Sequence, residues 1–351
     1  MNTRFFVRIT APVVTALLLT ACGSPQNDGT GAVATDEPLS LTVAGTTFPG
    51  TEGEKHWKAF EAAILEGSGN SADAQIAPKM LIYGQLGSEE QIIAGLRRGR
   101  VQFANLSAMA VSALVPETAL LYAPFLFDND AEADYIFDEH LTGIYRELLA
   151  EQGLHLLSWY EIGFLQIYGK APLLAPGDLE GRRFRVGAGL SAREFGKALK
   201  ADVIPLGFAD VVSSLQTGLI ESGENSVSLY ARSGIAAEAP HLTMTDHGYG
   251  VSVIVVQKKW WDAQTSATRE LLSKAFPEAR QTRSDVRAES LRDLEDAAQL
   301  GIQVHALTAE QREVWRAASA GVADIVVSET GGRSAEIMQV IRAAQQAYRT
   351  R

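Results

Sequence analysis

Cysteine occurs once in the 351 residues, at Cys22, so no disulfide can form within the chain. Basic runs are missing as well. Lysine and arginine together number 31 against 42 acidic residues, for a net charge of −11, which argues against a nucleic-acid partner. The six histidines (His56, His140, His155, His241, His247, His305) fall into no HExxH or other metal-ligand spacing. A GxSxG elbow is absent, and so are the GxGxxG and GxxxxGK[ST] phosphate loops. Nothing local joins a nucleophile to a base, and no metal or other cofactor is expected. Pairs such as Glu89-Glu90 and Glu221/Glu224 are read as solvated. No apolar run reaches the length of a membrane-spanning helix.

What is present is 46% apolar content in a chain long enough for one large or two ordinary domains. Arg4 and Arg8 precede a short apolar segment, Ile9 to Leu19, which reads as a secretory signal over residues 1–21. It ends Leu19-Thr20-Ala21-Cys22-Gly23, which resembles the bacterial lipobox and implies cleavage before Cys22 and its lipidation. Residues 22–38, rich in Gly, Ser, Thr and Ala, read as a flexible tether. Because the remaining domain is acidic, the lipid itself must hold the protein to the membrane.

The stretch from Gly181 to Asn225 carries the clearest functional pattern. The run Gly181 to Gly187 alternates as a strand, a helix runs from Ser191 to Leu199, and Val203 to Pro205 is a second strand. A helix through Val211 and Leu215 turns at Gly218 into a third strand ending near Asn225. This βαβαβ pattern puts Arg185 and Asn225 at the C-terminal edge of a parallel sheet, where open α/β folds bind ligands. An arginine there can hold a carboxylate through two parallel bonds. On these residues alone, a surface salt bridge and a turn-forming asparagine account for the pair equally well.

The runs Phe184-Arg185-Val186, Gln216-Thr217-Gly218 and Glu224-Asn225 resemble the solute-binding proteins of TRAP (tripartite ATP-independent periplasmic) transporters. So do Gln85-Leu86-Gly87-Ser88, Tyr122 to Phe127, Trp159 to Leu165, His247-Gly248-Tyr249 and Lys258 to Asp262. The resemblance covers about residues 39–300. It implies two α/β domains of periplasmic-binding-protein type with a ligand cleft between them and long C-terminal helices. Domain I would take residues 39–161 with about 251–290, and domain II residues 162–250 with about 291–351.

By the same resemblance, Arg185 grips the carboxylate of a small organic acid and Asn225 adds an amide contact. Thr46, Ser107, Glu161, Leu165, Phe208 and Tyr249 are the further ligand-binding expectations. Ser107 is equally well a helix cap, and Tyr249 equally well a core aromatic. The implied partners are the integral membrane permease subunits, with the membrane reached through the lipid on Cys22. This chain departs from the family pattern at Gly223 (usually glutamine), at Leu165 (usually arginine), and at Gly187 and Ser226 (usually prolines). The loss of the second arginine points to a ligand with one acidic group, unless Lys170 or Arg193 supplies the charge. A sensor that docks to a receptor would use the same cleft, and a cleft enzyme is the remaining alternative.

Overall fold

Alternating and near-continuous apolar runs become the strands of one sheet. A computed structural model describes residues 39–69 and 75–351; the expected signal, the tether and Cys22 lie outside them. The strands are β1 (Leu39–Ala44), β2 (Ile76–Leu81), β3 (Phe103–Ser107), β4 (Leu154–Gly169), β5 (Arg183–Val186), β6 (Asp202–Pro205), β7 (Ser222–Ser226), β8 (His241–Gln257) and β9 (Gln303–Ala306). Their order is β2-β1-β3-β8-β4-β7-β5-β6, with β9 beside β8.

β1 runs parallel to β2 and β3, and β5 runs parallel to β6 and β7. The βαβαβ pattern expected around Arg185 is therefore present, with β5 central. β4 and β8 join the halves. The Leu154 end of β4 and the Gln257 end of β8 pair beside β3, while the opposite ends meet β7 and β9.

Residue alternation by itself predicts strands over 154–160 and 251–256 only, and these two are much longer. The alternation that marks a strand is broken by register shifts at Leu156/Ser158, Glu161/Gly163 and Leu165/Ile167, and by positive φ at Gly163 and Asp246. A period-2 reading loses the strand at each irregularity, although the backbone pairing continues. Two helical expectations also shift. The sequence after Pro277 predicts a long helix reaching about Leu300, which ends at Glu295, and the capping pattern Thr308 to Gln311 predicts one helix up to Gly331-Gly332, which is split into Ala309–Ala318 and Val322–Thr330. Gly321, with φ of 87°, makes that break.

Both sheet faces are covered. Along β8, Val251, Val253 and Val255 enter one cluster with Leu106, Leu120 and Tyr145, while Ile254 and Val256 enter another with Trp57, Phe60 and Ile64. Trp57 is core. In the other half, Tyr168, Leu215 and Tyr230 pack on one face, and Ile167, Phe184, Phe195 and Trp315 on the other. The C-terminal helices do not act as one block. Trp315 joins the Phe184 cluster, whereas Val322, Val326, Ile337 and Ile341 join the cluster of the β1–β3 half. Among the described residues no helix is long and apolar enough to cross a membrane.

Candidate ligand-binding site

Arg185 is the third residue of β5 and is buried. Its Nε and Nη2 donate to the Leu206 carbonyl, at 3.1 and 2.9 Å, just past the end of the neighbouring β6. That carbonyl orients the guanidinium but carries no compensating charge. Among the described residues no carboxylate pairs with Arg185. A buried cation without an anion is costly by several kcal/mol.

The surroundings of Arg185 explain the departure at Gly223. Gly223 is the β7 residue paired with Arg185. A Cβ placed there would lie 2.3 Å from the Tyr168 hydroxyl and 3.2 Å from the Cβ of Arg185. The Tyr168 phenol fills the space that a side chain at 223 would need, and its hydroxyl is buried without a partner.

Asn225 lies two residues beyond Gly223, on the same face of β7. Its Oδ1 accepts the Ser226 N–H at 2.9 Å, and its amide NH2 makes no bond to another described residue. The alternate face of β7 is locked. Glu224 is 2.9 Å from Nε2 of His247, and Thr245 Oγ1 is 2.7 Å from Nδ1. With Nε2 donating to the Glu224 carboxylate, Nδ1 accepts from the Thr245 hydroxyl. Phe195 stacks on the His247 ring at 4.3 Å. Glu224 is thus a buried tie between β7 and β8, not the solvated residue expected from the sequence. Glu221 stays partly exposed, paired with Arg183 at 2.8 Å.

At the end of β3, Ser107 caps the short helix Ala108–Val111 by accepting from the Ala110 N–H. Its hydroxyl also donates to Glu89 Oε2 at 2.8 Å, and its N–H donates to Oε1. Glu89 is therefore a half-buried buckle between its helix and β3, again not a solvated carboxylate. Burial pushes its carboxyl upward in pKa, and the two Ser107 donors pull it back. Two residues on, Met109 covers the loop after β5. A Cβ on Gly187 would come within 2.1 Å of Met109 Sδ, and one on Gly189 within 2.6 Å of its Cγ. The absence of a side chain at Gly187 makes room for this methionine.

The remaining expected site residues divide. Phe208, in a short 3-10 turn after β6, meets the edge of Phe48 with ring centroids 5.6 Å apart. Thr46 is exposed and bridges to Tyr83. Leu165 is buried on β4 between Ser226 and Gly248, and a Cβ on Gly248 would touch it at 3.1 Å. Glu161 and Tyr249 are brought together, but with each other. The Tyr249 hydroxyl donates to Glu161 Oε2 at 2.7 Å, and Arg287 donates to both Glu161 oxygens from Nε at 3.0 and 3.1 Å. Burial raises the Glu161 pKa, while Arg287 and Tyr249 lower it. Arg287 also forks onto Asp134, so this network ties β4 and β8 to the helix Ala279–Glu295.

Of the two substitutes for the missing second cation, Lys170 donates to the Leu215 carbonyl, and Arg193 pairs with Glu194 and Glu329. The sequence reads Glu89 as solvated and assigns no role to Met109 or Phe48. The only signal for Glu89 was its place directly after the cap Ser88. Met109 is legible only once Gly187 and Gly189 are seen beneath it.

The chain matches, over residues 45–329, the family described as bacterial extracellular solute-binding protein, family 7 (DctP). It is 26% identical over 267 residues to the ectoine-binding periplasmic protein TeaA of Halomonas elongata, covering 74% of this chain and 78% of that protein. It is 26% identical over 330 residues to the ectoine/5-hydroxyectoine-binding periplasmic protein UehA of Ruegeria pomeroyi, covering 92% and 94%. Among solved structures, a TRAP periplasmic solute-binding protein of Roseobacter denitrificans with bound β-D-glucuronate superposes with a TM-score of 0.80 at 20% identity, covering 87% of this chain and 99% of that one. The Halomonas elongata ectoine-binding protein superposes with a TM-score of 0.79 at 23% identity, covering 88% and 99%. The family match spans most of the chain and includes both strand-end residues, Arg185 and Asn225: this protein belongs to the DctP family of TRAP solute-binding proteins.

Proposed function

We propose that this protein captures a small monocarboxylate outside the cytoplasm and hands it to the membrane subunits of a TRAP transporter. The observation that carries this reading is Arg185, a buried guanidinium oriented by a carbonyl and left without an anion. A ligand carboxylate supplies the missing charge, and the free amide of Asn225 adds a donor. The ligands named for relatives are consistent with an acid: C4-dicarboxylates for a Rhodobacter capsulatus protein, 2,3-diketo-L-gulonate for an Escherichia coli one.

Leu165 sets the number of acidic groups. A second carboxylate against this branched apolar side chain would be desolvated without a partner. The β1–β3 half and the β5–β7 half act as the two lobes, β4 and β8 as the hinge, and closure buries the ligand. Cys22 carries the lipid that keeps the protein at the membrane.

Calorimetry tests the ligand assignment. Arg185→Ala is expected to weaken binding by about 2–5 kcal/mol, and Arg182→Ala, on the exposed edge, to change it little. Equal effects at the two positions contradict the assignment. Butyrate is expected to bind at least as tightly as succinate; succinate tighter by more than about 1.4 kcal/mol, a factor of ten, removes the role given to Leu165. For the anchor, Cys22→Ser is expected to abolish detergent partitioning and the lipid mass increment. An unchanged mass and partitioning would exclude lipidation there.

A further inference from the structure

β4, β7 and β5 lie side by side, and one row across them carries Tyr168, Gly223 and Arg185. Paired residues on neighbouring strands share a sheet face, and Asn225, two residues along β7, shares it too. Gly223 leaves the middle of the row without a side chain. The Tyr168 phenol reaches into that gap from one side, with its hydroxyl oxygen 2.3 Å from where a Gly223 Cβ would stand and its Cζ at 2.6 Å. From the other side, the Arg185 Cβ lies 3.2 Å from the same point. Burial raises the phenol pKa, and the Arg185 charge draws it back. Tyr168 is fully buried and stacked on Tyr230, with ring centroids 5.7 Å apart. The Tyr230 hydroxyl donates to the Ala239 carbonyl at 2.7 Å, whereas the Tyr168 hydroxyl has no hydrogen-bond partner. A buried phenol without a partner is costly, and phenylalanine would fill the same space without that cost. Two more donors on this face are unspent. Arg185 uses Nε and Nη2 on the Leu206 carbonyl, and its Nη1 bonds to no described residue. The Asn225 amide NH2 is likewise free of the described residues.

We infer that Tyr168 is a further ligand-binding residue, whose hydroxyl donates to the carboxylate held by Arg185. The inference rests on Arg185 as the carboxylate anchor and adds a second side chain to its grip. A carboxylate has about four lone-pair sites, more than one guanidinium fork fills, so a neutral hydroxyl donor adds to the arginine without competing with it. Gly223 makes the reach possible, because a side chain there would meet the phenol.

Tyr168→Phe removes the hydroxyl and keeps the ring. Calorimetry with butyrate should show binding weakened about ten- to a hundredfold, the loss of one bond to a charged group. The ligand-free variant should melt no lower than wild type, because the hydroxyl it loses has no partner. A tyrosine kept only for packing would give the reverse, a lower melting temperature with unchanged affinity. In protein isotope-labelled at the tyrosine Cζ, butyrate should move the resonance that Tyr168→Phe deletes. Butyrate binding by Tyr168→Phe within about twofold of wild type overturns the contact; if Arg185→Ala still abolishes binding, the anchor stands. Weaker binding without the resonance shift assigns the tyrosine to packing and overturns the contact as well. Wild-type affinity in Arg185→Ala removes the anchor, and the contact with it. If wild type does not bind butyrate, both assignments fail.

Discussion

Arg185 and Gly223 form one arrangement rather than two separate features. The guanidinium needs the neighbouring β7 residue to be small, because the Tyr168 phenol already occupies that space. A sequence reading picks out the arginine by its charge at a strand end. It registers the glycine only as a departure, because Tyr168 lies 55 residues upstream on a strand whose pairing is not written locally. Titratable residues away from the site behave in the same way. His155 is half-buried and stacked on Trp261 at 4.5 Å. Burial first, then the positive charges of Arg146 and Lys258, lower its pKa below the ordinary histidine value. The unfolded chain therefore takes up a proton near pH 6.5 that the folded chain resists. The His155 contribution to stability is full above that pH and is lost as pH falls through it. His155→Gln should accordingly lose less melting temperature than wild type between about pH 7.5 and 5.5. An equal loss in both proteins would mean that His155 does not drive the change.

At the scale of elements, β4 and β8 decide the architecture, and they are the elements the sequence conceals best. Their bulges sit where the two halves of the sheet meet, and the glycines there are required by contact. Gly250 pairs with Gly163, and a Cβ on Gly250 would lie 3.0 Å from the Gly163 carbonyl oxygen and 3.0 Å from the Ile162 Cβ. Gly250→Val should destabilise the protein by about 1–3 kcal/mol through overpacking between backbones. Gly177→Ala, where an added Cβ meets nothing, should stay within about 0.5 kcal/mol. Chemical denaturation of the two variants measures both; similar midpoints would show that the hinge strands tolerate side chains there.

For the whole molecule, the functional question is whether the halves move. Contacts already bridge them: Met109 over Gly187 and Gly189, Ser191 Oγ donating to the Ala119 carbonyl, and Phe48 against Phe208. Ligand binding should favour the closed arrangement in which these contacts persist. An acid at a hundred times its Kd should stabilise the fold by about 2.7 kcal/mol, and the radius of gyration from small-angle scattering should fall. Arg185→Ala should abolish both effects at the same ligand concentration. Stabilisation without contraction would argue for a pocket that fills without lobe closure.

The sequence by itself determined the placement of the residues at the strand ends and the architecture as a class. A parallel βαβαβ unit has only one edge at which its C-terminal ends meet, so Arg185 and Asn225 had to share it. Local periodicity likewise set the apolar faces of the helices carrying Trp57, Phe60 and Ile92, because burial of such a face depends on spacing alone. Tertiary structure decided everything that depends on a partner distant in the chain. Glu89 became a buckle because Ser107 came to it, and Glu224 a tie because His247 did. Trp315 and Val322, seven residues apart, parted to opposite halves of the sheet. A side chain's type limits which bonds it can make, but which of them it makes is settled only when packing removes the water that would otherwise compete.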